Sequence, residues 1–260
     1  MALARTVRDC VYGMAVGDAL GVPFEFKPRG SFSCTGMVGH GTHGQPAGTW
    51  SDDTSMTLAL CDSYRETGAV DVEDVRRRFK LWIDTGAYAI GSNVFDFGNA
   101  TYKALRTGRG TSGEYDKGNG SLMRTLPMAF MNCTKRDVRA VSAITHATDD
   151  CMDACVRLVS YARSILETDS TMGIADAQVG ASGGYVWDTF HAAIWCLERT
   201  ETFEACVLAA VNLGDDTDTT ACIAGGLAGI LYGYDAIPRP WIETLRGKDI
   251  IESCLFGDVK

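Results

Sequence analysis

The sequence lacks the paired cysteines and histidines that mark many zinc and redox sites. Its 260 residues contain ten cysteines without a CxxC pair, and four histidines without HExxH spacing. Zinc binding is therefore disfavoured. Most cysteines have apolar neighbours, as in "LALCDS" and "AIWCLE", which is typical of buried free thiols. We therefore expect no disulfide framework and a reducing, cytoplasmic setting.

Long apolar runs and an excess of positive charge are also missing. The longest apolar stretch lies within residues 219–232 and is too short and glycine-rich to span a membrane. The first residues, "MALARTVRDC", contain no apolar segment of the kind found in signal peptides. The formal net charge of −9 disfavours a broad contact with nucleic acid. We expect a monomer that binds neither a membrane nor nucleic acid.

Strict alternation of apolar and polar residues is absent, whereas helical periodicity runs through most of the chain. Strands should therefore be rare. Glycine-rich loops at 28–49, 107–120 and 171–184 interrupt the helices, and no linker divides the chain. The pattern predicts a single compact all-α domain over residues 1–260. The predicted helices cover residues 3–19, 54–66, 72–83, 93–106, 121–131, 136–145, 150–167, 187–199, 202–212, 219–231 and 238–246.

Two short acid-rich segments each precede an apolar helix: "SDDT" at 51–54 and "GDDTDT" at 214–219. Helix capping explains one acid at each helix start. Additional carboxylates would repel one another, and a buried cluster would need protonation or a cation. Small residues at helical spacing behind the second segment indicate a helix deep in the core: Ala221, Ala224, Gly225, Ala228 and Gly229. The oxygen-rich clusters therefore predict two Mg²⁺ or Mn²⁺ ions.

A third acid pair, Asp149-Asp150, also opens a helix, and here capping and the helix dipole are the favoured interpretation. His146 lies just upstream of this pair. A histidine with neighbouring aspartates leaves open an all-α, metal-dependent nucleotide phosphohydrolase as an alternative function. The glycine-rich loop at 28–49 contains His40 and His43, to which the sequence assigns no role.

Seven segments distributed along the chain carry a recognisable pattern in a fixed order. They are "GMAVGDALGVPFEF" (13–26), "TWSDDTSMTLAL" (49–60), "VFDFGNAT" (94–101), "GNGSLMR" (118–124), "THATD" (145–149), "SGGYVWDTFHAAIWCL" (182–197) and "VNLGDDTDTTACIAGGLAGILYG" (211–233). Together they resemble the ADP-ribosylglycohydrolase family, specifically its dinitrogenase-reductase-activating glycohydrolase type. This resemblance implies an all-α fold with a binuclear Mg²⁺ or Mn²⁺ centre.

The resemblance also implies roles for individual residues. Asp215 precedes the matching pattern and is expected to lie outside the metal site. The implied metal ligands are Ser51, Asp52, Asp53, Asp216, Asp218 and Thr219. The implied catalytic residues are Glu25, Asp53 and Asp96. The implied substrate-binding residues are Gly98, Gly118, Asn119, Gly120, Ser121, Met123, His146 and Tyr185.

Simpler roles compete with three of these assignments. The "KGNGS" stretch at 117–121 is able to bind phosphate through backbone amides, but it also suits an ordinary glycine-rich turn. A lone glutamate such as Glu25 is usually a solvated surface acid. Asp96, which stands between two phenylalanines, has helix capping as its alternative role.

The resemblance implies hydrolysis of a glycosidic bond between ADP-ribose and a modified target. Arginine-linked ADP-ribose on a protein is the expected substrate, and other linkages remain open. A module that binds ADP-ribose without turnover is a second alternative, which the full set of acids disfavours.

Overall fold

The computed structural model describes residues 5–175 and 182–257 as an assembly of α-helices. Within those ranges, extended pairing is limited to three isolated bridges, in agreement with the all-α prediction. Residues 3 and 4 of the first predicted helix and residues 176–181 of a predicted loop lie outside the described residues. The helices are α1 (Val7–Gly21), α2 (Asp52–Thr67), α3 (Val72–Thr85), α4 (Asn99–Thr107), α5 (Lys135–Ser142), α6 (Asp149–Thr168), α7 (Val186–Glu198), α8 (Phe203–Val211), α9 (Thr217–Tyr232), α10 (Arg239–Thr244) and α11 (Lys248–Cys254).

Two helix predictions differ clearly from the structure, and one helix was missed. The helix expected over 121–131 is replaced by two 3₁₀ turns, Leu122–Arg124 and Leu126–Phe130, because Pro127 has no backbone N–H for a continuous α-helix. The helix expected from residue 93 begins at Asn99, since Asp96 has a positive φ of 56°. Helix α11 was not predicted.

Helices α1 and α9 form the centre of the fold and lie unusually close together. A β-carbon added at Gly17 would lie 1.9 Å from the carbonyl oxygen of Ala221. At Gly21 it would lie 2.3 Å from the α-carbon of Asp218. Only glycine permits this approach of two backbones. The packing therefore fixes the first turn of α9, which contains one of the two acid clusters.

The hydrophobic residues from Val7 to Phe256 form one buried cluster around this helix pair. Helices α7 and α8 also pack on α9, and α2 packs on α1. All ten cysteines are free thiols, and nine of them are buried. In the described part of the chain, no helix combines the length and the apolar character needed to cross a bilayer.

Candidate active site

The fold brings the two acid-rich segments together, although they are far apart in sequence. One segment lies at the start of α2 and the other at the start of α9. The Asp53 carboxylate accepts hydrogen bonds from Ser51 Oγ, at 3.3 Å, and from Thr219 Oγ1, at 3.4 Å. A residue from each predicted ligand cluster therefore contacts the same carboxylate.

Helix capping accounts for part of these clusters, but not for most of the acids. Ser51 caps α2 by accepting a hydrogen bond from the Asp53 amide. Asp18 also holds this helix start, because its carboxylate accepts from the Ser51 amide at 2.9 Å and the Thr54 amide at 3.0 Å. Asp216 occupies the cap position of α9 but makes no capping hydrogen bond with its side chain. Capping therefore fails to explain the second cluster.

Three of the acids at the two helix starts are buried, and Asp216 is partly buried. Asp52, Asp53 and Asp218 are at most 5% exposed. Burial, together with the charge of the neighbouring carboxylates, raises the pKa of each of these groups well above its usual value. One oxygen of Asp53 and both carboxylate oxygens of Asp218 are buried without a hydrogen-bond partner. Unpaired hard oxygen donors in a concentrated negative charge fit a divalent cation such as Mg²⁺ or Mn²⁺.

Glu25 lies beside the second cluster and is not a solvated surface acid. It is 6% exposed, and its carboxylate lies within 4.8 Å of the carboxylates of Asp216 and Asp218. Burial raises the pKa of Glu25 to about 7, and the charge of Asp216 acts in the same direction. The backbone next to Glu25 is tied to the loop before α9, because the Phe26 amide donates to the Asp215 carbonyl at 2.7 Å. Asp215 is exposed, and its position outside the metal site stays a prediction.

Asp96 completes a second group of ionisable residues with Glu25. The capping alternative is not supported, since Gly98 occupies the cap position of α4 without a side-chain capping bond. Burial raises the pKa of Asp96 to about 6. Ligand-type atoms of Glu25, His43 and Asp96 lie within 4.8 Å of one another. Two of the three predicted catalytic residues therefore lie together.

His43 is a residue of this site that sequence reasoning missed. Its Nε2 contacts the Glu25 carboxylate and lies 3.7 Å from Asp96 Oδ2. The neighbouring Thr42 hydroxyl donates to the Glu25 carbonyl at 2.7 Å, which fastens this loop to the Glu25 segment. A histidine in a glycine-rich loop was the only local signal, and it did not indicate the carboxylate partners.

A cavity of about 440 Å³ opens over the acids. Most predicted site residues line it, including six of those assigned to substrate binding. The lining residues are Glu25, Phe26, Asp52, Asp53, Asp96, Phe97, Gly98, Asn99, Ala100, Thr101, Tyr115, Asp116, Gly118, Asn119, Gly120, Met123, His146, Asp216 and Thr219.

Asn119 links the glycine-rich loop to the acid clusters. Its side-chain amide donates to Asp216 at 2.7 Å and to the Thr189 hydroxyl at 2.9 Å. Two other predicted substrate-binding residues lie beside the cavity lining. Ser121 is fully buried and accepts a hydrogen bond from Ser142 at 2.8 Å, whereas Tyr185 is 41% exposed. Their contact with substrate stays a prediction.

The third acid pair does not join the site. Thr148 caps α6, and the Asp149 side chain is 85% exposed. Asp150 pairs with Lys117 at 2.8 Å. His146 is buried on the cavity wall, so the histidine and the two aspartates do not form the grouping that the phosphohydrolase alternative needs.

Comparisons with known proteins agree with this geometry. Residues 1–259 match the ADP-ribosylglycohydrolase family. The chain is 33% identical to ADP-ribosylarginine hydrolase Tri1 of Pseudomonas putida (strain GB-1), over 94% of this chain and 75% of the relative. It is 31% identical to the ADP-ribosyl-(dinitrogen reductase) glycohydrolase of Rhodospirillum rubrum, over 91% of this chain and 88% of the relative.

A solved structure also matches the fold. It belongs to an ADP-ribosylglycohydrolase-related protein complex, and it superposes with a TM-score of 0.82 at 29% identity over 95% of each chain. The chain therefore belongs to the ADP-ribosylglycohydrolase family, which confirms the predicted enzyme class, a hydrolase that cleaves a glycosidic bond of ADP-ribose.

Proposed function

We propose that this chain hydrolyses the N-glycosidic bond that joins ADP-ribose to an arginine side chain of a protein. The observation that carries the proposal is the convergence of two buried acid clusters on one cavity that a glycine-rich loop also lines. The arginine linkage is supported by two relatives named ADP-ribosylarginine hydrolase, from Pseudomonas putida and Serratia proteamaculans, at 33% and 31% identity.

Two Mg²⁺ or Mn²⁺ ions are the proposed cofactors. The unpaired, buried oxygens of Asp53 and Asp218 are the observation that favours cations at this place. When bound, such ions neutralise the clustered charge and polarise and orient the ribose hydroxyls. The residues that would hold them are Ser51, Asp52 and Asp53 at the start of α2, and Asp216, Asp218 and Thr219 at the start of α9.

The glycine-rich loop at 118–120 is the proposed binding site for the two phosphates of ADP-ribose. Glycines allow a ligand to approach the backbone closely. The Asn119 amide already donates to the Gly184 carbonyl at 3.0 Å, so the Gly118 and Gly120 amides on either side of it are the proposed phosphate donors. Gly98, Met123 and His146 line the same cavity and would contact the rest of ADP-ribose. Tyr185 stands next to this loop, because its backbone pairs with Gly118. Ser121 lies on the buried side of this loop, where its hydroxyl accepts a hydrogen bond from Ser142 at 2.8 Å.

In the proposed reaction a water oxygen forms a bond to C1″ of the distal ribose, and the bond from C1″ to the guanidine nitrogen breaks. One proton leaves the water and one reaches the leaving nitrogen. Glu25, Asp53 and Asp96 are the proposed acid–base groups, since all three carboxyls line the cavity. Their negative charge would also stabilise an oxocarbenium-like transition state.

Release of free ADP-ribose tests this function. Purified protein with Mg²⁺ or Mn²⁺ should release ADP-ribose from an arginine-modified protein, and EDTA should stop the release. Serine-linked ADP-ribose and O-acetyl-ADP-ribose serve as comparison substrates. Release from these alone would contradict the arginine linkage. Calorimetric binding of ADP-ribose without release from any linkage would instead identify a binding module.

A further inference from the structure

His146 lines the cavity, and its two ring nitrogens have different neighbours. It is 3% exposed, and its ring contributes to the cavity wall. A β-carbon added at Gly118 or Gly120 would lie 3.5 or 3.2 Å from Nε2, so this nitrogen is next to the glycine-rich loop. The second ring nitrogen, Nδ1, lies 2.8 Å from the hydroxyl oxygen of Thr145.

Arg124 lies behind the same loop and is completely buried. Its guanidinium donates to the Gly120 carbonyl, to the Val141 carbonyl at 3.4 Å and to the Thr145 hydroxyl at 2.7 Å. It also stacks over Phe79 at 4.7 Å. All these hydrogen-bond partners are neutral and Nε is buried without a partner, although the charge of Asp52 also acts on the guanidinium. Such a costly arrangement indicates a role beyond packing.

The hydrogen-bond chain from Arg124 determines which nitrogen of His146 carries the proton. A guanidinium only donates, so the Thr145 oxygen accepts from Arg124. The Thr145 hydroxyl proton then needs an acceptor, and Nδ1 of His146 is in reach. If Nδ1 carried a proton instead, the hydroxyl proton would be buried without an acceptor, which is unfavourable. Burial and the nearby charge of Arg124 lower the pKa of His146 to about 3, so the ring is neutral.

We propose that Arg124 and Thr145 are positioning residues that hold His146 as the neutral tautomer with hydrogen on Nε2. In this form His146 donates a hydrogen bond to a phosphate or ribose oxygen of the ligand beside Gly118 and Gly120. The ligand contact rests on the proposed function, whereas the tautomer is a property of the ligand-free protein. Arg124 also binds the Gly120 carbonyl, so one buried cation orders both the loop and the imidazole.

The tautomer is testable by nitrogen NMR of the ligand-free, full-length protein at neutral pH. Protonated and unprotonated ring nitrogens resonate far apart, and the His146→Asn variant identifies the relevant signals among the four histidines. We expect protonated Nε2 and unprotonated Nδ1 in the wild type. In Thr145→Val we expect a mixture of tautomers, and in Thr145→Ser the wild-type pattern. Protonated Nδ1 in the wild type would overturn the proposal.

The ligand contact is testable by calorimetry with ADP-ribose at saturating Mg²⁺. Loss of one well-oriented hydrogen bond should weaken binding about 3- to 10-fold in Thr145→Val. Thr145→Ser should restore wild-type affinity. Thr111→Val is the matched control, because its hydroxyl is also buried but binds the Thr145 carbonyl, at 3.3 Å, rather than the imidazole. It should leave affinity unchanged.

Three results would overturn the positioning role. These are unchanged affinity in Thr145→Val, equal loss in Thr111→Val, and failure of Thr145→Ser to restore binding. Absence of ADP-ribose binding by the wild type would instead overturn the proposed function and the ligand contact. The NMR spectra of the ligand-free protein test the tautomer independently of that result. Thermal unfolding of each variant confirms that it is folded. Arg124→Met is a less suitable probe, since removing a fully buried side chain endangers the fold.

Discussion

The contact between Gly21 and Asp218 tests whether the packing of α1 on α9 sets the geometry of the acid clusters. In Gly21→Ala, the new β-carbon would lie 2.3 Å from the Asp218 α-carbon. An ordinary contact needs at least 3.4 Å, so the Asp218 backbone would have to move by about 1 Å. Gly21 lies in a right-handed helix, and alanine therefore adds volume without adding backbone strain.

Two effects of different size are expected from this displacement. Overpacking of a tight core costs about 1–3 kcal/mol in the free energy of unfolding, equivalent to a decrease of about 2–12 °C in Tm for a chain of this size. Metal ligands tolerate shifts of only about 0.2 Å. A misplacement of 1 Å in a catalytic site costs roughly 100-fold in rate, so we expect kcat/KM to fall by roughly 100-fold.

Gly13→Ala is the matched control for this substitution. Its β-carbon would lie 2.2 Å from the Gly225 carbonyl oxygen, a similar overlap about two helical turns away from Asp218. We expect a similar decrease in Tm, but near wild-type metal affinity and turnover at a temperature where the variant is folded. Circular dichroism melts, calorimetric titration with Mn²⁺ and release of ADP-ribose measure the three quantities.

Two outcomes would refute the reasoning. One is a Gly21→Ala variant with lowered Tm but unchanged metal affinity and turnover, because α9 would then tolerate displacement at its first turn. The other is an equal loss of metal affinity in Gly13→Ala, since the effect would then be global. The comparison separates local geometry from general destabilisation because the two overlaps are similar in size.

Three further predictions concern charge in the site. Asp218→Asn should leave the metal-free protein at least as stable as wild type, because it removes one of several like charges. Metal at 100 times its Kd should stabilise the wild type by about 2.7 kcal/mol, and the variant should lose this stabilisation. Equal metal-induced shifts in Tm for the two proteins would contradict this prediction. The metal-free protein should lose stability as the pH rises from about 4 to 7. Burial raises the folded-state pKa values of Asp96 to about 6 and Glu25 to about 7, above their unfolded values, so the folded state binds more protons in this range. Urea unfolding across that range measures the slope. His43→Phe should lower kcat more than it raises KM, because Glu25 loses its hydrogen-bond partner. His43→Gln should recover part of the rate. Equal rates for both variants would argue against orientation of Glu25 by His43.

Helix periodicity and acid placement were readable from the sequence because both depend on residues that are neighbours in the chain. The segment at 219–231 predicted a core helix, and α9 spans Thr217–Tyr232 with its small residues buried. Local backbone effects limited the predictions. Pro127 broke the expected helix over 121–131 into 3₁₀ turns. A positive φ at Asp96 delayed the start of α4, and this conformation is unusual for a residue other than glycine.

By itself, the sequence determined the all-α class, the two acid-rich helix starts and the glycine-rich loop, since each is a local pattern. Only the tertiary structure decided which residues cap the two helices and which carboxylate oxygens are left unpaired. It also decided that His43 contacts Glu25. It also joined Arg124 and Thr145 to His146 behind the cavity. The physical reason is that burial and hydrogen bonding depend on the close packing of helices that are distant in sequence.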